Sequence, residues 1–226
     1  MSRLEDLLEI LEESSEKEVM ILSQMEIKDA SKSRSVLLRC RVCDAVIYYP
    51  DDFAQDILLT LLKDRNAEVR ASAACYLEYY SGEAVKNALQ QAFFQDKDPY
   101  VRGYGGYSLL KIAATDPQIV STVENALLKE RNLFVCTCCY GALYLYCRKK
   151  SAFQHIVHCF KSKNYRTRCA VGHTLMEILN TENASEILKI VDAKLKIEDA
   201  FSVQDTLERL RSKALAIVEK IIRAPL

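Results

Sequence analysis

Leu61-Leu62-Lys63-Asp64-Arg65-Asn66-Ala67-Glu68-Val69-Arg70-Ala71-Ser72-Ala73-Ala74-Cys75-Tyr76-Leu77 reads as the end of one helix, a tight turn and the start of a second. The pattern recurs at Asp96-Lys97-Asp98-Pro99-Tyr100-Val101-Arg102 with Leu109 behind it. Weaker copies are Leu38-Arg39 with Val46, Val135-Cys136 with Leu143, and Thr167-Arg168 with Leu175. From Arg39 through Arg70, Arg102 and Cys136 to Arg168 the intervals are 31, 32, 34 and 32 residues. A nearly fixed period of this size is the signature of stacked helical hairpins, each burying its apolar face on its neighbours. The expected fold is all-α, a right-handed α-solenoid of about six helical hairpins with capping helices.

Composition agrees with this reading. Half of the 226 residues are hydrophobic and 27% are charged, enough apolar surface to bury a core. Six glycines, four prolines and no tryptophan favour long helices over many short strands. Lys plus Arg equals Asp plus Glu at 31 each, so no global field draws the protein to nucleic acid or to an anionic membrane, although a local basic patch stays compatible with the balance. No apolar run approaches the roughly 20 residues that span a bilayer, and the amino-terminal residues do not resemble a signal peptide. A cytoplasmic protein is expected, with its nine cysteines mostly free and buried as small hydrophobes.

Taken in order, Leu4, Leu7, Leu8 and Leu11 face away from Glu5, Glu9, Glu12 and Glu13, which reads as a cap helix over 1–15. Five helical repeats are expected over 16–180, and a divergent capping repeat over 183–226 closes a single domain, 1–226. Asp51 or Asp52 is positioned to cap the helix running to Lys63. Asp98-Pro99 and Asp116-Pro117 each place an N-cap before a proline at the first helical position, where the missing N–H costs nothing.

Asp64 with Val69-Arg70, and Asp96 with Val101-Arg102, resemble the HEAT family, in which an aspartate ending the first helix and an arginine six residues later form a ladder across successive turns. The resemblance covers roughly residues 30–180 and implies a structural role for Arg70 and Arg102. It weakens where the corresponding pairs are Ser33/Arg39, Glu130/Cys136 and Ser162/Arg168. The HEAT-like deoxyhypusine hydroxylases carry His-Glu dipeptides as iron ligands, and none of His155, His158 and His173 precedes a glutamate. Alkylpurine DNA glycosylases of this kind are expected to show a basic concave face with tryptophans, which the composition does not supply. Bilin-lyase-like HEAT proteins are not separated from this chain by any motif.

Cys40-x-x-Cys43 and Cys136-x-Cys138-Cys139 invite a zinc reading, but stacked second helices three repeats apart separate the two groups by on the order of 25–30 Å. They cannot share an ion. His155, His158 and Cys159 share a helical face without a supporting carboxylate at matching spacing. Cysteines and Gly103, Gly105, Gly106, Gly141 and Gly172 fit better as small residues where second helices pack closely. No phosphate loop, Ser/His/Asp set or pair of catalytic carboxylates is present, so no catalytic residue, metal or cofactor is expected.

If Val69, Ala73 and Leu77 face the interior, Ser72, Cys75 and Tyr79 point toward a concave groove. The period extends that stripe to Arg41, Asp44 and Tyr48, to Tyr104, Tyr107 and Lys111, to Cys138, Gly141 and Leu145, and to Ala170, His173 and Glu177. Tyrosine is enriched at protein interfaces because it offers large contact area and a hydroxyl anchor at low entropy cost. The expected partner-binding residues are therefore Arg41, Asp44, Tyr48, Tyr79, Tyr104, Tyr107, Lys111, His173 and Glu177. The expected function is a non-enzymatic protein–protein interaction module, an adaptor or an inhibitor such as a toxin-neutralising immunity protein. Its partner is another protein, with no membrane and no nucleic acid. The alternative is a HEAT-like nucleic-acid binder or enzyme, of the glycosylase or bilin-lyase-like kind.

Overall fold

The computed structural model describes residues 23–223. The cap helix expected over 1–15, and residues 16–22 at the start of the first expected repeat, lie outside them. Twelve α-helices occur among the described residues, which form two compact units divided between Ser121 and Thr122.

The first unit contains α1 (Gln24–Ala30), α2 (Val36–Ala45), α3 (Asp51–Leu61), α4 (Ala67–Tyr76), α5 (Glu83–Gln95) and α6 (Pro99–Ile112). Helix α7 (Pro117–Leu127) crosses the boundary. The second unit continues with α8 (Leu133–Leu145), α9 (Ala152–His158), α10 (Tyr165–Ile178), α11 (Ala184–Leu195) and α12 (Phe201–Arg223). In the first unit α2, α4 and α6 pack side by side in chain order; in the second, α8, α10 and α12 do the same.

The second helices α2, α4, α6, α8 and α10 each start where a short polar side chain takes over unpaired N–H groups. The Oδ1 of Asn66 accepts from Glu68 N at 2.8 Å, that of Asp98 from Tyr100 N at 2.8 Å, that of Asn132 from Phe134 N at 3.0 Å and that of Asn164 from Arg166 N at 2.9 Å. Ser35 caps α2 in the same way. Helix α3 departs from expectation: Pro50 occupies the N-cap position without a side-chain bond, and Asp51 and Asp52 lie inside the first turn, where their charge favours the helix N-terminus. Gly82 precedes α5 at φ 112°, a backbone conformation in which a Cβ is strained.

The expected core faces are buried. Leu38, Val42, Leu58, Val69, Ala73, Leu77, Leu89, Val101 and Leu109 pack inside the first unit. Ile156, Val171, Leu175, Ile187, Val191, Val203, Leu207 and Leu210 fill the second. The apolar face of α12 is buried only as far as Ala214, whereas Leu215, Ile221 and Ile222 are exposed.

Second helices of the first two repeats are shorter than their apolar pattern suggests. After Ala45 and after Tyr76 the chain tightens into 3-10 turns, Val46–Tyr48 and Leu77–Tyr79, and then extends at Tyr49 and Tyr80. This tightening decides where the tyrosines point.

Candidate functional site

Arginines set the spacing of the repeats. Arg39 Nε donates to Asp64 Oδ2 at 2.7 Å and its Nη2 to Oδ1 at 3.0 Å, while Nη1 reaches back to the carbonyl of Ser33 at 2.6 Å. Arg70 repeats this with Asp96, at 2.7 and 2.9 Å, and with the carbonyl of Asp64 at 2.9 Å. Burial pushes the Asp64 and Asp96 carboxyls up, but the hydrogen bonds and charge of their arginines and a backbone N–H outweigh it, and both stay below the usual carboxylate range. The guanidinium thus holds its own turn through a carbonyl six residues back and the next turn through a carboxylate. That explains why Ser33 and Ser162, which looked like weak copies, sit in regular turns: their carbonyls do the work.

On this frame four of the expected residues of the first unit, Arg41, Asp44, Tyr79 and Lys111, fall into one series of neighbours. Arg41 Nη1 lies 3.5 Å from Asp44 Oδ2 on α2, both about two-fifths exposed. The Asp44 carboxylate lies beside the hydroxyl of Tyr76, at the end of α4, close enough to raise its pKa. The Tyr76 ring stacks on Tyr79, centroids 6.4 Å apart at 30°. Over the Tyr79 ring, 5.0 Å from its centroid, stands the ammonium of Lys111 from α6, which also pairs with Glu78 Oε1 at 3.1 Å. Carboxylate, two rings and ammonium therefore lace α2, α4 and α6 together, and Tyr79 remains 62% exposed. Tyr48, Tyr104 and Tyr107 are half-buried on the same helices or their 3-10 extensions.

An ideal second helix does not bring Tyr76 and Glu78 into this surface; the 3-10 turn Leu77–Tyr79 does. With three residues per turn in a 3-10 turn, positions i and i+3 eclipse, so Tyr76 falls directly over Tyr79. The repeated Tyr48-Tyr49 and Tyr79-Tyr80 pairs, each ending such a turn, are the signal that could have revealed it.

His173 and Glu177 are both exposed on α10, one turn apart, in the second unit. Gly141 is not a groove residue: it is buried, and a Cβ there would fall 2.7 Å from Thr174 Cγ2 of the neighbouring α10. Gly172 faces Thr206 of α12 at the same distance.

The chemistry on offer is binding chemistry. Burial, with the neighbouring Asp44 carboxylate behind it, raises the Tyr76 hydroxyl above the usual tyrosine range; burial and Glu78 raise Tyr79, with Lys111 opposing. Both hydroxyls remain protonated hydrogen-bonding groups at neutral pH. Burial likewise pushes up the thiols of Cys40, Cys43, Cys139 and Cys159, and that of Cys136 to about 12. Among the described residues no three His, Cys, Asp or Glu side chains converge as metal ligands would, and no helix is long and apolar enough to cross a membrane.

No family model matches the chain, and no curated protein matches it in sequence. Among solved structures it is similar to the complex of CpcE and CpcF of phycocyanin lyase from Nostoc sp. PCC7120, at TM-score 0.53 and 14% identity over 95% of each chain. An archaeal HEAT-like repeats protein from Thermococcus onnurineus NA1 aligns at TM-score 0.43 and 14% identity, covering 96% of this chain and 99% of that one. The fold is all-α and HEAT-like, with the arginine ladder as its local mark.

Proposed function

We propose that the protein is a non-enzymatic interaction module, an adaptor or inhibitor, that binds another protein through the tyrosine surface of its first unit. One observation carries this reading. Tyr79 is a large, exposed ring held in place by Tyr76 and Lys111, so its ordering cost is met before a partner arrives. Tyr104, Tyr107, Tyr48, Arg41 and Asp44 add half-buried rings and hydrogen-bonding groups of both charges on the same helices. His173 and Glu177 offer the second unit's own exposed contact points. The phycocyanin lyase subunits CpcE and CpcF form a complex with each other; at 14% identity that likeness carries the fold and no substrate.

Affinity capture with wild type and with a folded Tyr79→Ala/Tyr104→Ala/Tyr107→Ala variant tests the proposal. A protein retained by the first and lost by the second, with its affinity then measured on purified components, is the expected result. Retention by both rules out this surface. Capture of nucleic acid that falls steeply with salt moves the assignment to a nucleic-acid binder.

A further inference from the structure

Two turns of the second unit hang on one guanidinium. Arg168 donates through Nη1 to the carbonyls of Ser162 and Lys163, at 3.0 and 3.1 Å, and through Nη2 and Nε to the Glu198 carboxylate, at 2.6 and 2.8 Å. Gln204 Nε2 closes the second turn onto the carbonyl of Glu198 at 2.6 Å. From this fixed edge three apolar side chains project into solvent: Tyr165, 45% exposed, Ile197, 74%, and Phe201, 81%. Lys161, Lys163, Arg166 and Lys196 are exposed around them, and Lys194 lies over the Phe160 ring at 5.5 Å. Arg168 neutralises Glu198 and also stands 3.6 Å from the exposed carboxylate of Asp199, the other acid of the two turns beside these five cations; Asp205, a turn further along α12, bounds the patch.

We infer that this edge docks the protein on an anionic membrane surface, with Phe201, Ile197 and Tyr165 entering the headgroup region and the lysines and Arg166 meeting lipid phosphates. Two features favour lipid over other polyanions. Four of the five cations are lysine, which is depleted at protein interfaces while arginine is enriched; a diffuse negative surface needs only point charge. The most exposed tips include an aliphatic one, Ile197, which cannot stack on nucleic-acid bases but partitions into a lipid interface together with a phenylalanine. The zero net charge of the chain hides this local field. Surface attachment of this kind needs no spanning helix.

Co-sedimentation of the full chain with vesicles of phosphatidylcholine alone, and of phosphatidylcholine mixed with phosphatidylglycerol, tests the inference. Binding is expected to the mixed vesicles only, to weaken with salt, and to fall about tenfold or more in Ile197→Asp/Phe201→Asp, the scale of losing two buried apolar side chains. Lys161→Ala/Lys163→Ala/Lys196→Ala is expected to remove the preference for anionic lipid. All five side chains are exposed, so both variants keep the wild-type circular dichroism and melting curve. No sedimentation with anionic vesicles at low salt, equal binding to neutral vesicles, or binding unchanged in both variants overturns the inference. So does loss of an acidic protein or nucleic-acid partner in these variants while vesicle binding persists.

Discussion

Arg168 and Glu198 form the most buried charge pair of the second unit, Nη2 to Oε1 at 2.6 Å, with side chains 13% and 3% exposed. Its arginine is the last of the periodic series, and its acid lies in the connection that reads from sequence as irregular. Removing one partner of a buried pair leaves the other charged and unsolvated, which costs about 3–5 kcal/mol. Arg168→Met is therefore expected to lower the urea midpoint strongly, and Glu198→Gln less, because an amide oxygen still accepts from Arg168. Combining Arg168→Met with Glu198→Met is expected to recover part of the loss, a coupling visible in a double-mutant cycle.

Acid sensitivity follows from the same rungs. The Arg168 hydrogen bonds hold Glu198 below the usual carboxylate range, and Asp64 and Asp96 are lowered because their arginines and a backbone N–H outweigh burial. A carboxylate with a depressed folded pKa contributes stability above its unfolded value and loses that contribution as pH falls through the folded one. Urea midpoints should thus fall on acidification within and below the usual carboxylate range. Glu198→Gln should flatten that slope; an unchanged slope would show that Glu198 does not carry it.

How much of this was legible depended on whether backbone or side chain did the work. The intervals from Arg39 to Arg168 located the repeats because buried Leu38, Val69, Val101, Val135 and Thr167 precede the ladder positions. The rung at position 136 was read as lost. Its Cys136 thiol reaches the Glu130 carbonyl at 3.9 Å, keeping the local contact, and Ser162 stands where the next acid would be, so cation and acid are lost together and no charge is stranded. Glu198 escaped notice because the span from Arg168 is 30 residues, against 25 and 26 for the rungs from Arg39 and Arg70. Tyr76 escaped notice because a 3-10 turn replaces the last turn of the helix.

Gly141 offers a test of close approach between α8 and α10. Alanine there gains about 1 kcal/mol of helix propensity, but its Cβ falls 2.7 Å from Thr174 Cγ2, and overpacking of this kind costs about 1–3 kcal/mol. Gly141→Ala is expected to be destabilising in the wild-type background and neutral or stabilising with Thr174→Ser, which deletes the clashing methyl. Identical effects in both backgrounds, read from denaturant midpoints, would place the strain elsewhere.

The thiols supply a prediction against redox chemistry at Cys40-x-x-Cys43. Reactive cysteine pairs depend on a lowered pKa, whereas burial raises both of these, and the Cys40 and Asp44 charges push Cys43 further up. Mass-spectrometric footprinting with iodoacetamide at neutral pH should leave Cys43, Cys136, Cys139 and Cys159 unmodified in the folded protein and modify all four in urea. Rapid native labelling of Cys43 would contradict its burial.

Tyr76 and Tyr79 separate stability from binding within one stacked pair. Tyr76 is half-buried with its hydroxyl beside Asp44, so Tyr76→Phe removes a polar contact between α4 and α2 and is expected to cost about 1 kcal/mol. Tyr79 is exposed and its hydroxyl ties no helix to another, so Tyr79→Phe should change stability by no more than about 0.5 kcal/mol. Binding should respond in the opposite order, because Tyr79 presents most of its surface to solvent while Tyr76 supports it from behind. Lys111→Met sharpens the comparison: it keeps the aliphatic length over the ring but removes the ammonium that holds it and the pair with Glu78. If the held ring is what the partner meets, Lys111→Met weakens binding through a freer Tyr79, and the additional loss from Tyr79→Ala is smaller in that background than in wild type. Fully additive losses would mean that the ammonium and the ring contact the partner independently.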